Sequence, residues 1–225
     1  MRLGARRVTR GSVFKLTARG LAFASALLFA SCATKDRDHV VRVSVPDQRM
    51  VVFRKGVEIA RYDVSTSKFG VAGHAGSYTT PLGAMEVARK IGGGARSGTK
   101  FKSRRATGEI VPVNAQGRDP IVTRILWLRG LEQGNRDTFS RCIYIHGTPE
   151  EWRIGTPASY GCIRMRSQDI VQLFATLGVG ARVEVSMSPF PPQLVQGGTT
   201  FAPAPTPVPA PAASRAPVRG AAKRG

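Results

Sequence analysis

Cys162 and His146 are the residues of this chain whose chemistry can be read first. Cys162 lies in SYGCIRM, residues 159–165, and His146 in IHG, residues 145–147. A thiol attacks a carbonyl as its thiolate, and a neighbouring imidazole either lowers its pKa or takes its proton. The same imidazole then protonates a leaving amine. Gly161 allows a sharp turn before the thiol. Successive N–H groups in such a turn can converge on an oxyanion. Arg164 offers a bidentate fork to a carboxylate; a structural ion pair is the other reading. Spacing alone leaves Cys162 equally open to being a buried, inert thiol. It likewise leaves His146 open to being a hydrogen-bonded residue at a strand end.

The chain has three cysteines and three histidines. RCIYIH at 141–146 reads as one strand, which puts Cys142 about 13 Å from His146 at ~3.3 Å per residue. A disulfide needs Cα atoms within roughly 7 Å. If Cys162 contacts His146 it does not reach Cys142, which is then expected to be a small packed residue, with an accessory thiol as the alternative. His39 sits in a polar stretch and His74 in a Gly-rich loop. No spacing of Cys, His and carboxylates suggests zinc, so neither metal nor cofactor is expected. Trp127 reads as core; Trp152, between His146 and Cys162, lines a groove or caps the core.

These residues must be held by a fold spanning about 40–188, and most of its signals are strands. VVRVSV at 40–45 is β-branched, and 48–56 with 57–65 reads as a hairpin turning at Lys55 and Gly56. AMEVARKIG at 84–92, a weak IVPV at 110–113, IVTRILWL at 121–128 and ARVEVS at 181–186 add further strands. One helix is clear: Ser167 as cap, Asp169 in the first turn, a stripe of Ile170, Leu173, Phe174 and Leu177, then Gly178. The expected fold is mainly β, a sandwich or barrel with one helix after the cysteine loop.

The formal net charge is +20. Residues 1–31 hold six Lys or Arg and residues 189–225 hold four, with no acid in either, so the middle carries +10. Anionic partners follow from that sign. The basic cluster KFKSRR at 100–105 stands in no nucleic-acid motif, so it reads as a solvated loop and no nucleic-acid partner is expected. The uncharged run at 20–30 is too short for a membrane helix, which needs about 20 residues, and suits a signal peptide. LFASC at 28–32 is similar to a lipobox, which makes 1–31 a signal segment, Cys32 a lipidated N-terminus and 32–39 a linker. Ala33 in place of Asp points to outer-membrane sorting by the same resemblance, hence to an anchored protein of the cell envelope or periplasm. The Pro/Ala-rich stretch 189–225 reads as a disordered tail.

The ordered set YDVSTSKFG at 62–70, TPLG at 80–83, ILWL at 125–128 and IHGTPEEWRIGTPASYGCIRMRSQDI at 145–170 resembles the L,D-transpeptidase catalytic domain, or YkuD, family. The resemblance covers residues 43–185. It implies that Cys162 is the nucleophile and His146 the base, with Gly147 next to the carbonyl that orients the histidine. It implies oxyanion donors at Gly161 and Cys162, a loop ordered by Ser159, and a substrate contact at Arg164. The implied substrate is a peptidoglycan tetrapeptide stem, which loses D-Ala to form a thioester that an amine resolves. A hydrolase on the same peptides and a wall-binding module without turnover are the competing readings. Tyr160 departs from the family's usual histidine. It is a poor base near neutral pH and is expected to support the loop or the oxyanion.

Overall fold

The computed structural model describes residues 34–117 and 119–191. The expected signal segment, Cys32 and the tail beyond residue 191 lie outside the described residues.

Strand β1 (His39–Ser44) pairs antiparallel with β2 (Arg49–Arg54), and β2 with β3 (Val57–Asp63). The β2–β3 turn falls on Lys55 and Gly56, both at positive φ. That is the geometry whose twist matches its flanking strands. The sheet continues with β4 (Gly83–Ile91), β5 (Thr99–Lys102), β6 (Arg105–Ile110), β7 (Ile121–Gly130), β8 (Tyr144–Gly147), β9 (Ile163–Met165) and β10 (Arg182–Ser186). Spatial order is β3-β2-β1-β10-β4-β7-β5-β6, with β8 on β7 and β9 on β8. The pairs β1/β10 and β8/β9 are parallel. The domain is thus mainly β, a single mixed sheet with one α-helix.

That helix, α1 (Ser167–Thr176), buries Ile170, Leu173 and Leu177 in the main core, with Phe174 packed at its edge. Burying each such side chain stabilises by about 1.5–3 kcal/mol. Ser167 is not the cap. It is the first helical residue, and its N–H donates to the Glu151 carboxylate at 2.7 Å. At the other end Lys90 donates to the Phe174 carbonyl at 2.6 Å and to that of Leu177, satisfying acceptors the helix leaves open.

Three sequence expectations change. KFKSRR is a hairpin, not a loop: Ser103 and Arg104 turn between β5 and β6, and Phe101 is buried beneath. IVPV forms no strand past Ile110. The stretch read as a linker is packed from Asp36 onward. The Asp36 N–H donates to Val179 O at 2.8 Å, and its carboxylate accepts from Gly178 N–H at 2.6 Å.

Candidate active site

Strands β8 and β9 build the site by alternation. Their register pairs Ile145 with Ile163 and His146 with Arg164. Ile143, Ile145, Ile163 and Met165 enter the main core. Tyr144 and Cys162 face the other way, toward a smaller cluster with Trp127, which is core as expected. Residues opposite or two apart on adjacent strands share a face. His146, Arg164 and Cys162 therefore share one, and the register sets His146 and Cys162 about 8 Å apart at Cα.

A bulge in β7 aims this face. Pairing to β8 slips between Val122 and Ile125, opposite His146 and Gly147, and Thr123 adopts φ 71° within it. Bulges beside active sites commonly redirect a side chain. Gly147 is required by closeness: a Cβ there would lie 2.8 Å from Val122 O and 3.1 Å from Thr123 Cβ.

His146 is 4% exposed. Its Nδ1 lies 2.9 Å from the Gly147 carbonyl oxygen. A carbonyl only accepts, so Nδ1 carries the proton and Nε2 holds the lone pair. Burial lowers its pKa below 6.5, and the Arg164 guanidinium lowers it further, against the Gly147 bond and the Asp119 carboxylate. The imidazole is neutral at pH 7.

Cys162 is half-buried and free. Burial pushes its thiol up to about 11, although the Tyr144 backbone N–H favours the thiolate. The resting pair is a neutral thiol with a neutral imidazole. The thiol donates to Cys142 O at 3.5 Å and makes no hydrogen bond to His146. A cleft of about 400 Å³ opens on it, lined also by Cys142, Ile143, Arg141, Tyr78 and Tyr160.

The loop before Cys162 is held by Ser159. Its Oγ donates to Cys162 O at 2.6 Å and accepts from Gly161 N–H at 3.1 Å. The Gly161 N–H is thus engaged and not open to an oxyanion in this conformation. Gly161 itself sits at φ 118°, where glycine alone is unstrained, and a Cβ would lie 3.1 Å from Thr79 O.

Arg164 departs from the expected substrate contact. It is 2% exposed, and its guanidinium is shared between Asp119 and Glu150, the latter at 3.2 Å. Burial, with both carboxylates gathered on Nη1, leaves the guanidinium little surface for a substrate carboxylate and favours the structural ion pair. Tyr160 is 62% exposed, its OH accepts from Lys68 at 3.1 Å, and its ring meets those of Phe69 and Tyr78. Trp152 is 69% exposed with the Arg153 guanidinium over its ring, and neither caps the core nor lines the cleft. Cys142 is not on the His146 strand. It precedes β8 at φ 58°, and it faces the cleft that holds Cys162. The strand-length argument against its pairing therefore fails, although both thiols are free here.

Three contributors escape sequence reasoning. Asp119 accepts from Thr148 and Arg164 and lies in the field of His146. Between residues 87 and 131 only Glu109 and Asp119 are acidic, a signal that was available. Arg141 ties down the loop over the cleft through Ala72, Ser77 and Thr79 carbonyls, at 3.1, 3.0 and 2.6 Å. Lys68 reaches Tyr160 from 92 positions away. Among the described residues no group of three His, Cys, Asp or Glu is placed to hold a metal. No helix among them is long and apolar enough to cross a membrane.

The domain is mainly β, with His146 on β8 and Cys162 just before β9, its parallel neighbour. The family model described as the L,D-transpeptidase catalytic domain (YkuD) matches residues 38–185. The chain belongs to that family. It is similar to YqjB of Bacillus subtilis (strain 168), 43% identical over 51 residues, which are 23% of this chain and 29% of the relative. It is also similar to ErfK/SrfK of Escherichia coli (strain K12), 45% identical over 49 residues, 22% of this chain and 16% of the relative. Both carry L,D-transpeptidase names, and the matches span under a third of either. L,D-transpeptidase 3 from Mycobacterium tuberculosis, solved with a faropenem-derived adduct, aligns at TM-score 0.44 and 18% identity. That alignment covers 66% of this chain and 60% of the other.

Proposed function

We propose that the protein is a cysteine L,D-transpeptidase of the bacterial envelope acting on peptidoglycan stem peptides. Cys162 attacks the carbonyl joining the L-centre of meso-diaminopimelate to D-Ala in a tetrapeptide stem. His146 Nε2 takes the thiol proton as the C–S bond forms, then delivers it to the departing D-Ala amine, leaving a thioester. An amine acceptor, from a second stem or a protein lysine, attacks the thioester and regenerates the thiol. The observation that carries this reading is the Nδ1–H bond of His146 to Gly147 O at 2.9 Å. It leaves the Nε2 lone pair free to act as a base on the face that bears Cys162, which supports the reading. Cys162 N–H supports the oxyanion, and Gly161 N–H joins it once released from Ser159 Oγ. Arg164 acts from beneath, through the carboxylates it holds.

Intact-mass measurement after incubation with a carbapenem tests the acylation step. An adduct that disappears in Cys162→Ala supports it; no adduct on the native chain overturns it. Stem peptides with and without an added amine then separate transfer from hydrolysis: cross-linked or amine-capped product supports the transferase, and hydrolysed peptide alone overturns it.

Envelope placement and a lipid anchor at Cys32 belong to the same proposal, supported by the LFASC sequence. Cys32→Ser is expected to move the protein from the membrane to the soluble envelope fraction. Retention in the membrane would count against the anchor.

A further inference from the structure

Lys68 is exposed, yet its ammonium is held in place. It donates to Tyr160 OH at 3.1 Å and lies 4.4 Å from the Tyr160 ring centroid and 5.1 Å from that of Phe69. The two segments that carry the pair are themselves tied. Ser67 and Ser159 form a β-bridge, and Lys68 N–H donates to Ser159 O at 3.1 Å. Cation–π contacts and a phenol orient a cation without neutralising it. An ammonium has three donors, and Tyr160 takes one. Among the described residues no carboxylate lies within ion-pair distance of Lys68, whereas Arg164 holds two. Arg141, also at the cleft, spends its guanidinium on backbone carbonyls.

The surroundings suit a ligand that leaves the cleft. Tyr78 and Tyr160 line it beside Cys162. Their rings meet edge-on at 6.0 Å, with Phe69 5.4 Å from Tyr160, and all three are more than half exposed. Exposed aromatic faces next to a cavity mark a contact surface, and a fixed cation with open donors marks an anion.

We propose that Lys68 and Tyr160 form a clasp for a carboxylate on the acyl portion of the donor stem. This rests on the stem-peptide reading above. The acyl portion is the long part that must run out of the cleft, and the clasp stands exposed at the rim, two residues from the thiol. The clasp takes over the carboxylate-gripping role that the sequence assigned to Arg164. It also gives Tyr160 a purpose at the position where the family usually has histidine.

Binding measured on the full chain carrying Cys162→Ser tests the clasp without turnover. The probes are a soluble tetrapeptide stem and the same peptide with the acyl-portion carboxylates amidated. The acid form is expected to bind about three- to tenfold tighter, the range of a partly exposed charge-assisted contact. Lys68→Gln should abolish that preference, Lys68→Arg should retain most of it, and Tyr160→Phe should reduce it. Alkylation of Cys162 by neutral iodoacetamide, measured with the thiol present, should be the same in native and Lys68→Gln chains, which reports an intact site. Equal binding of acid and amide, a preference that survives Lys68→Gln, or no binding of either peptide overturns the clasp. A Lys68-dependent preference in a protein that forms no thioester upholds the clasp and overturns the enzyme reading instead.

Discussion

His146→Asn removes Nε2 while leaving a side-chain amide able to donate to Gly147 O, so it separates the base from the anchor. Burial pushes the Cys162 thiol up to about 11. At pH 7 the spontaneous thiolate fraction is then about 1 in 10⁴. On the proposed mechanism a neutral imidazole removes the proton during attack, so the rate should not depend on that fraction. Carbapenem acylation should be flat above pH 6.5 and fall in acid as His146 protonates, with a midpoint below 6.5 because burial disfavours the imidazolium. Without Nε2 only the residual thiolate attacks. Acylation at pH 7 should drop by about 10²–10⁴, the usual worth of general base catalysis. The residual rate should rise about tenfold per pH unit toward pH 10, where the native chain is expected to stay flat. The assay is stopped-flow or intact-mass acylation across pH 5–10, with Cys142→Ser to remove the second cleft thiol. A resting thiolate–imidazolium pair predicts the opposite: iodoacetamide alkylation of native Cys162 saturating below pH 8. That result, or an asparagine variant that is flat with pH, would refute the neutral-pair mechanism.

The buried ion cluster and the backbone contacts give further expectations. Arg164→Met leaves Asp119 without its cation and Glu150 with only Arg153, and should cost about 3 kcal/mol in denaturant unfolding. The same change removes a cation that depresses His146, so the acid limb of the pH–rate profile should move to higher pH; a downward move would contradict the assigned field. His146 binds protons less readily folded than unfolded. Its share of stability is therefore complete above pH 6.5 and lost as pH falls through 6.5 toward the depressed folded value. Thermal melts should show that loss in the native chain and less of it in His146→Asn. Gly147→Ala drives a Cβ to 2.8 Å from Val122 O, and the melting temperature should fall as for a destabilisation of about 1–3 kcal/mol.

The chain announced its secondary structure wherever pattern and turn chemistry agreed. The β2–β3 hairpin turned at Lys55 and Gly56, and the stripe Ile170, Leu173 and Leu177 packed inward as a helix of that period must. It failed where a long-range contact replaced a local signal. Ser167 looked like a cap because its hydroxyl is the usual one, but Glu151, sixteen residues earlier, supplies the acceptor. RCIYIH looked like a continuous strand because its residue types favour one. The turn at Thr138–Ile143, with Cys142 at positive φ, delays β8 until Tyr144.

The sequence by itself carried the family, and it offered the thiol, the imidazole and the loop serine as candidates. Those depend on residue type and order, which the chain states directly. What became of each charge was decided in three dimensions. Arg164 and Lys68 are both cations near the motif, and nothing local tells them apart. Parallel pairing of β8 with β9 carries Arg164 beside His146, where burial is tolerable only because Asp119 and Glu150, 45 and 14 positions away, neutralise it. The Ser67–Ser159 bridge instead leaves Lys68 at the surface, against Tyr160. The tautomer of His146 was also settled by the fold, because the Gly147 carbonyl that holds Nδ1–H is aimed by a bulge in β7, a strand some twenty residues upstream.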